Sequence, residues 1–189
     1  MRVAVTGGIC DGKSTVLSIL GGMGYSTLSS DEVVHELHAS EDFRSLLLSE
    51  FGESAVQGNE VNKDWIRLHV IKSPDFRRKL NLISHRPVLK RVVQFMSLQS
   101  GHCFVEVPLL VESVSFRLFD KVWCVDAGET ARLERLTERL GGDEALAHQL
   151  LKTQLKNDVK NAFADKILRT DLALLSVKLL IEKLAADLG

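Results

Sequence analysis

Residues 7–14 read Gly7-Gly8-Ile9-Cys10-Asp11-Gly12-Lys13-Ser14, a complete G-x-x-x-x-G-K-S phosphate loop. The apolar run Val3-Ala4-Val5 stands before it, and the helix-forming stretch Thr15-Val16-Leu17-Ser18-Ile19-Leu20 follows. That setting matters as much as the string. At a strand end and helix start, backbone N–H groups point outward and the helix dipole favours negative charge. Residues 7–14 together with Thr15 are therefore the expected ATP site. Lys13 reaches the β- and γ-phosphates, and the Ser14 hydroxyl ligates Mg²⁺. Asp11 is awkward in this loop, because like charge opposes polyphosphate. Replacing it with serine is expected to tighten ATP binding.

Outward from the loop, apolar runs and helical spacings alternate. Residues 25–29 read as a second strand, after which Asp31 starts a helix carrying Val33, Val34 and Leu37, with Asp31 near its N-cap. Residues 41–99 follow a helical pattern, broken at Gly52, Gly58 and Pro74. Pro87 suits a first helical turn, which predicts His85 and Arg86 just before a helix N-terminus. Strands return at Cys103-Phe104-Val105-Glu106-Val107 and Lys121-Val122-Trp123-Cys124-Val125. An arginine-dense helix over 129–140 ends at Gly141-Gly142, and another follows over 143–155. A short strand over 166–168 precedes a leucine-rich terminal helix. Five strands separated by helices predict an α/β fold, a five-stranded mainly parallel sheet with flanking helices. Residues 1–40 and 101–189 form the expected nucleotide-binding core, with a lid at about 139–155, and residues 41–100 an inserted helical cap.

Composition narrows the classes. The chain has 189 residues, 45% hydrophobic and 26% charged, with a net charge of −1. That balance argues against a chain whose task is coating nucleic acid. Cys10, Cys103 and Cys124 lie far apart and read as reduced thiols, not a zinc or disulfide framework. No apolar run approaches the ~20 residues of a membrane span, so the expected location is cytoplasmic. Acids dominate residues 31–60. Bases such as Arg77, Arg78, Lys79, Arg86, Lys90 and Arg91 dominate residues 63–91. The basic half suits a polyanionic substrate, but lacks the interleaved aromatics of a single-strand platform.

Phosphoryl transfer needs charge neutralisation, metal positioning, an oriented nucleophile and exclusion of water. Glu106 interrupts an apolar strand, where a buried carboxylate is costly without a purpose. It suits the outer shell of a Mg²⁺ site, and a structural hydrogen bond to the loop would also explain it. Asp31 can accept or orient the proton of a substrate hydroxyl. Arg132, Arg135 and Arg139 share a helix face by their spacing of three and four. Arg139, beside the glycine pair, is expected to serve a closing lid, and Arg132 to be solvated.

The whole chain resembles the dephospho-CoA kinase family. The resemblance rests on residues 5–15, on Ser30-Asp31-Glu32-Val33-Val34-His35-Glu36-Leu37, and on His85 with nearby Pro87. Most specific is Val105-Glu106-Val107-Pro108-Leu109-Leu110-Val111-Glu112, and Gln154 and Ala164-Asp165 fall in the expected order. It implies transfer of the ATP γ-phosphoryl to the 3′-hydroxyl of dephospho-CoA. Asp31 then lies near the acceptor hydroxyl, Arg139 acts from the lid, and His85, Arg86, Pro108, Leu109 and Glu112 line the substrate side. ATP and dephospho-CoA are the implied small-molecule partners. A monomer is favoured, since one short leucine-rich helix packs most simply on its own core. Three positions depart from the family's pattern. Ser29 stands where many members have a first aspartate, Cys10 and Asp11 replace small residues, and Arg86 separates His85 from the proline. Two other readings stay open: another small-molecule kinase of the same fold, or a nucleotide-binding protein with weakened catalysis.

Overall fold

Five apolar runs become five parallel strands of one sheet in the computed structural model, which describes residues 1–188. Strand β1 (Arg2–Thr6) leads through the phosphate loop into α1 (Lys13–Gly22) and β2 (Ser26–Leu28). Helices α2 (Ser30–Ala39) and α3 (Glu41–Phe51) precede a hairpin of β3 (Val56–Gln57) and β4 (Glu60–Val61). Then come α4 (Lys63–Lys72) and α5 (Pro74–Ser97). The alternation resumes with β5 (Cys103–Glu106), β6 (Lys121–Asp126), α6 (Glu129–Arg139) and α7 (Glu144–Leu151). It closes with α8 (Asn157–Asn161), β7 (Lys166–Arg169) and α9 (Leu174–Ala186).

The sheet order is β2-β5-β1-β6-β7, so the chain leaves β1 toward one edge and later fills the other. The loop therefore stands at the end of the central strand, at the switch point where such sheets bind ligands. The register pairs Val5 with Glu106 and Thr6 with Cys124, which brings Glu106 and Asp126 to the loop's flanking strand ends. Side chains two apart along a strand share a face. Val3, Val5, Phe104, Trp123 and Val125 accordingly form one buried layer with Val16 and Leu20 of α1 and Val177 and Ile181 of α9. Cys103 and Cys124 are buried free thiols, and burial pushes the Cys124 thiol up to about 12.

The chain divides into two units, residues 1–29 with 95–189, and residues 30–94. The second unit thus begins with α2, whereas the sequence places the insertion at 41–100. Its own core gathers Phe43, Leu47, Ala55, Val61 and Ile66, with Phe51 and Phe76 rings 4.3 Å apart beside it.

Two expectations are corrected in this stretch. It is not wholly helical, because Gly58, at φ 62°, turns the β3–β4 hairpin. Nor does a helix begin at Pro87. The start lies at Pro74, where Ser73 Oγ accepts from Phe76 N at 3.1 Å, and Pro87 sits inside α5. An internal proline costs roughly 3 kcal/mol, and the residues on both sides carry the helix through it. His85 and Arg86 are consequently mid-helix, half-buried and exposed respectively, and gain no helix-end N–H groups.

Candidate active site

The phosphate loop is held by its carbonyls. Lys13 Nζ donates to the Gly8 carbonyl at 2.7 Å, and Arg132 Nε to that of Ile9 at 3.2 Å. Arg135 Nη1 donates to the Cys10 carbonyl at 3.3 Å, and Thr170 Oγ1 to that of Asp11 at 2.6 Å. Four consecutive oxygens, repulsive to phosphate, are thereby bound to protein donors. Cys10 lies at φ 61°, a left-handed conformation that side chains rarely adopt and that recurs at ligand-clamping loops. Gly12, at φ 89°, makes the final turn into α1. Ser14 and Thr15 are exposed on the first turn of that helix, where N–H groups are not consumed by the helix itself.

The fully buried Asp11 side chain turns away from this cradle. Its carboxylate accepts from Gly8 N, from Ala127 N at 3.0 Å and from Asn157 Nδ2 at 3.0 Å, and lies 3.3 Å from Arg132 Nε. The expected repulsion of ATP is corrected accordingly, because the charge is neutralised where it stands. Arg132 is corrected too. It is buried, not solvated, and its Nη1 also donates to Asn157 Oδ1 at 3.2 Å. The guanidinium lies so close to Gly8 that a Cβ there would overlap it, which explains the second glycine of the loop.

Around this pair lies a polar layer that the sequence did not reveal. Asp126, at the end of β6, accepts from Gly128 N and Asn157 Nδ2 at 2.8 Å each, and from Asn161 Nδ2 at 2.9 Å. Burial raises its pKa, but the bonds from Asn161, Gly128 and Asn157 outweigh it and hold the carboxyl below its ordinary value near 3.8. Gln154 Oε1 accepts from Ile9 N at 3.0 Å, tying the segment after α7 to the loop.

Glu106 is buried at the end of β5. Its Oε2 accepts from Ser29 Oγ at 2.8 Å, and its Oε1 lies 3.9 Å from Lys13 Nζ. A hydroxyl at 29 can donate to this carboxylate; a second carboxylate could not. Pro108 and Glu112 have partners within the first unit. Lys160 Nζ donates to the Pro108 carbonyl at 2.6 Å and pairs with Glu112 Oε1 at 3.0 Å. Leu109 is half-buried beside them, and Arg139 is exposed at the last residue of α6. Asp31 is the second residue of α2 and not its cap. The second unit has a cavity of about 270 Å³ lined by His35, His38, Asn59, Arg44, Glu60 and Lys63.

The family model for dephospho-CoA kinase matches residues 1–183. The chain belongs to the dephospho-CoA kinase family. A dephospho-CoA kinase of Nitrosospira multiformis is 31% identical over 88% of this chain and 85% of its own. One from Staphylococcus epidermidis is 30% identical over 99% and 95%. Among solved structures, the Thermus thermophilus protein TT1252 superposes with a TM-score of 0.83 at 24% identity, covering 100% of this chain and 98% of its own, and so shares the fold. Within the dephospho-CoA kinase family this chain is thus a phosphate-loop kinase with an aspartate built into the loop and a buried arginine to match it. Among the described residues no helix is long and apolar enough to cross a membrane.

Proposed function

We propose that the chain transfers the γ-phosphoryl of ATP to the 3′-hydroxyl of dephospho-CoA, giving coenzyme A and ADP. Family membership supplies the reaction, ATP-dependent phosphorylation of dephospho-CoA. The observation that carries the site is the loop whose carbonyls at residues 8–11 are all held by protein donors. A loop secured on its oxygen side leaves the first N–H groups of α1, not consumed by the helix, to an anion, while Lys13 exchanges its Gly8 partner for phosphate; such preorganisation is the usual source of phosphoryl-transfer catalysis.

In this reading Lys13 leaves the Gly8 carbonyl for the β/γ-phosphates, and Arg139 adds positive charge from the lid side. Asp31 accepts the proton of the 3′-hydroxyl as its oxygen bonds to the γ-phosphorus. The bond from that phosphorus to the β–γ bridging oxygen breaks, and ADP leaves with the electron pair. His85, Arg86 and Leu109 are assigned to the acceptor side, with Pro108 and Glu112 shaping that segment through Lys160.

A nucleotide-borne Mg²⁺ fits the donor set. The exposed Ser14 hydroxyl would offer a direct hard oxygen and the Glu106 carboxylate would act from the outer shell, and Mg²⁺ usually takes one or two protein oxygens beside phosphates and water. When bound it would neutralise charge on the phosphate oxygens. Buried free thiols at Cys103 and Cys124 suit a reducing cytoplasm, and a monomer is the assembly assigned.

An ADP-release assay with ATP and Mg²⁺ tests the acceptor, using dephospho-CoA, shikimate and a nucleoside monophosphate in parallel. Turnover with dephospho-CoA alone is expected. Preference for either of the others would overturn the assignment.

A further inference from the structure

We infer that Asp11 and Arg132 form a buried clamp that sets the phosphate loop in its ATP-receiving shape, making both positioning residues for nucleotide binding. The inference rests on reading the loop as the ATP site and goes beyond it. No general feature of the loop motif calls for a carboxylate at position 11.

The geometry supports a clamp in three ways. First, an ionised carboxylate with no exposure is tolerable only if paired and hydrogen-bonded, and Asp11 has both kinds of partner. Second, the pair spans the loop from both sides of its chain. Asp11 draws in the Gly8 N–H, while Arg132 Nε draws out the Ile9 carbonyl. The peptide planes 7–8 and 9–10 are thereby held, and neither can flip without breaking a contact to a charged side chain. Third, Asn157 ties both members to Asp126, donating to both carboxylates while accepting from Arg132. The clamp is therefore continuous with the strand end beside the loop.

Losing one partner should harm binding in a specific way. Without Arg132, an uncompensated carboxylate remains beside the phosphates. Without the Asp11 charge, a guanidinium is left buried and free to swing its fork toward other acceptors. Removing both charges together should be less harmful than the single losses imply, because neither leaves an unpaired partner.

The test is titration calorimetry of ATP with Mg²⁺ on the full chain for Asp11→Asn, Arg132→Gln and the double variant, beside melting temperatures. Each single change is expected to raise the ATP Kd about tenfold or more, and the double variant should bind at least about fivefold more tightly than the product of the two losses. KM for dephospho-CoA should stay within about twofold of the parent, a split that general loosening would not produce. Arg132→Lys covers the case in which Arg132→Gln does not fold. Lysine keeps the charge without the fork, so a weakened ATP Kd with an unchanged KM for dephospho-CoA is again expected. Asp11→Asn binding ATP as tightly as the parent, or losses that simply multiply, would overturn the clamp. The ATP titration needs no acceptor, so failure of the clamp in calorimetry and failure of the kinase assay are separate results.

Discussion

The Asp11 carboxylate lies 3.3 Å from Arg132 Nε, and that same nitrogen donates to the Ile9 carbonyl at 3.2 Å. An acidic side chain inside a phosphate loop is thus neutralised by a cation from α6, which is also bonded to the loop backbone. This relationship reverses the expectation for Asp11→Ser. Serine cannot neutralise Arg132, so this variant should bind ATP less tightly than the parent, by about tenfold. Equilibrium binding measures it.

Lys13→Ala removes the cation assigned to the β/γ-phosphates. Turnover should fall about 100- to 1,000-fold, as for loss of one preorganised transition-state contact. Steady-state ADP release at saturating dephospho-CoA checks this. Turnover near the parent's would show that Lys13 serves only its Gly8 contact.

Asp31→Asn separates chemistry from affinity. The general-base role proposed for Asp31 is worth about 10²- to 10⁴-fold in rate, so kcat should drop while the ATP Kd stays within about twofold. A weakened Kd with kcat intact would place Asp31 in nucleotide binding.

Acid should loosen the first unit through Asp126. Its folded pKa lies below the ordinary carboxylate value, so the folded state binds fewer protons than the unfolded one near pH 3.8. The stabilisation is complete above that value and is lost as pH falls through the lower, folded pKa. Asp126→Asn should therefore flatten the acid limb of a plot of melting temperature against pH. An unchanged acid limb would mean that the three donated bonds do not favour the charged form.

Much of this was legible from residue order, for identifiable reasons. Buried parallel strands are apolar on both faces, so Val3-Ala4-Val5 and Val122-Trp123-Cys124-Val125 declare themselves without long-range information. The loop is a local motif. Arg132 was not legible, because its spacing to Arg135 and Arg139 suggested a solvated face, and its partner Asp11 is remote in the chain. A signal was present even so. Arg132 stands one turn before Leu136 on the buried side of α6, and a carboxylate in a phosphate loop demands a nearby cation. Asn157 and Thr170 carry no such signal, since single polar residues near helix and strand ends usually cap or solvate. At Pro87 a local preference for first turns yields to a helix 24 residues long, which residue order near the proline does not show.

Core packing gives a stability check independent of chemistry. Ile181 on α9 is fully buried against the sheet, so Ile181→Ala should cost about 2–5 kcal/mol in unfolding free energy. Denaturant melts measure it, and a loss under about 1 kcal/mol would mean that α9 is not integral to the core.

The most direct test of the kinase assignment is product stoichiometry and position. ATP, Mg²⁺ and dephospho-CoA are mixed with the protein, quenched, and resolved by mass spectrometry and ³¹P NMR. One ADP per coenzyme A is predicted, with the new phosphate on the ribose 3′-oxygen. ADP formed without coenzyme A, or phosphate found at another position, would contradict it.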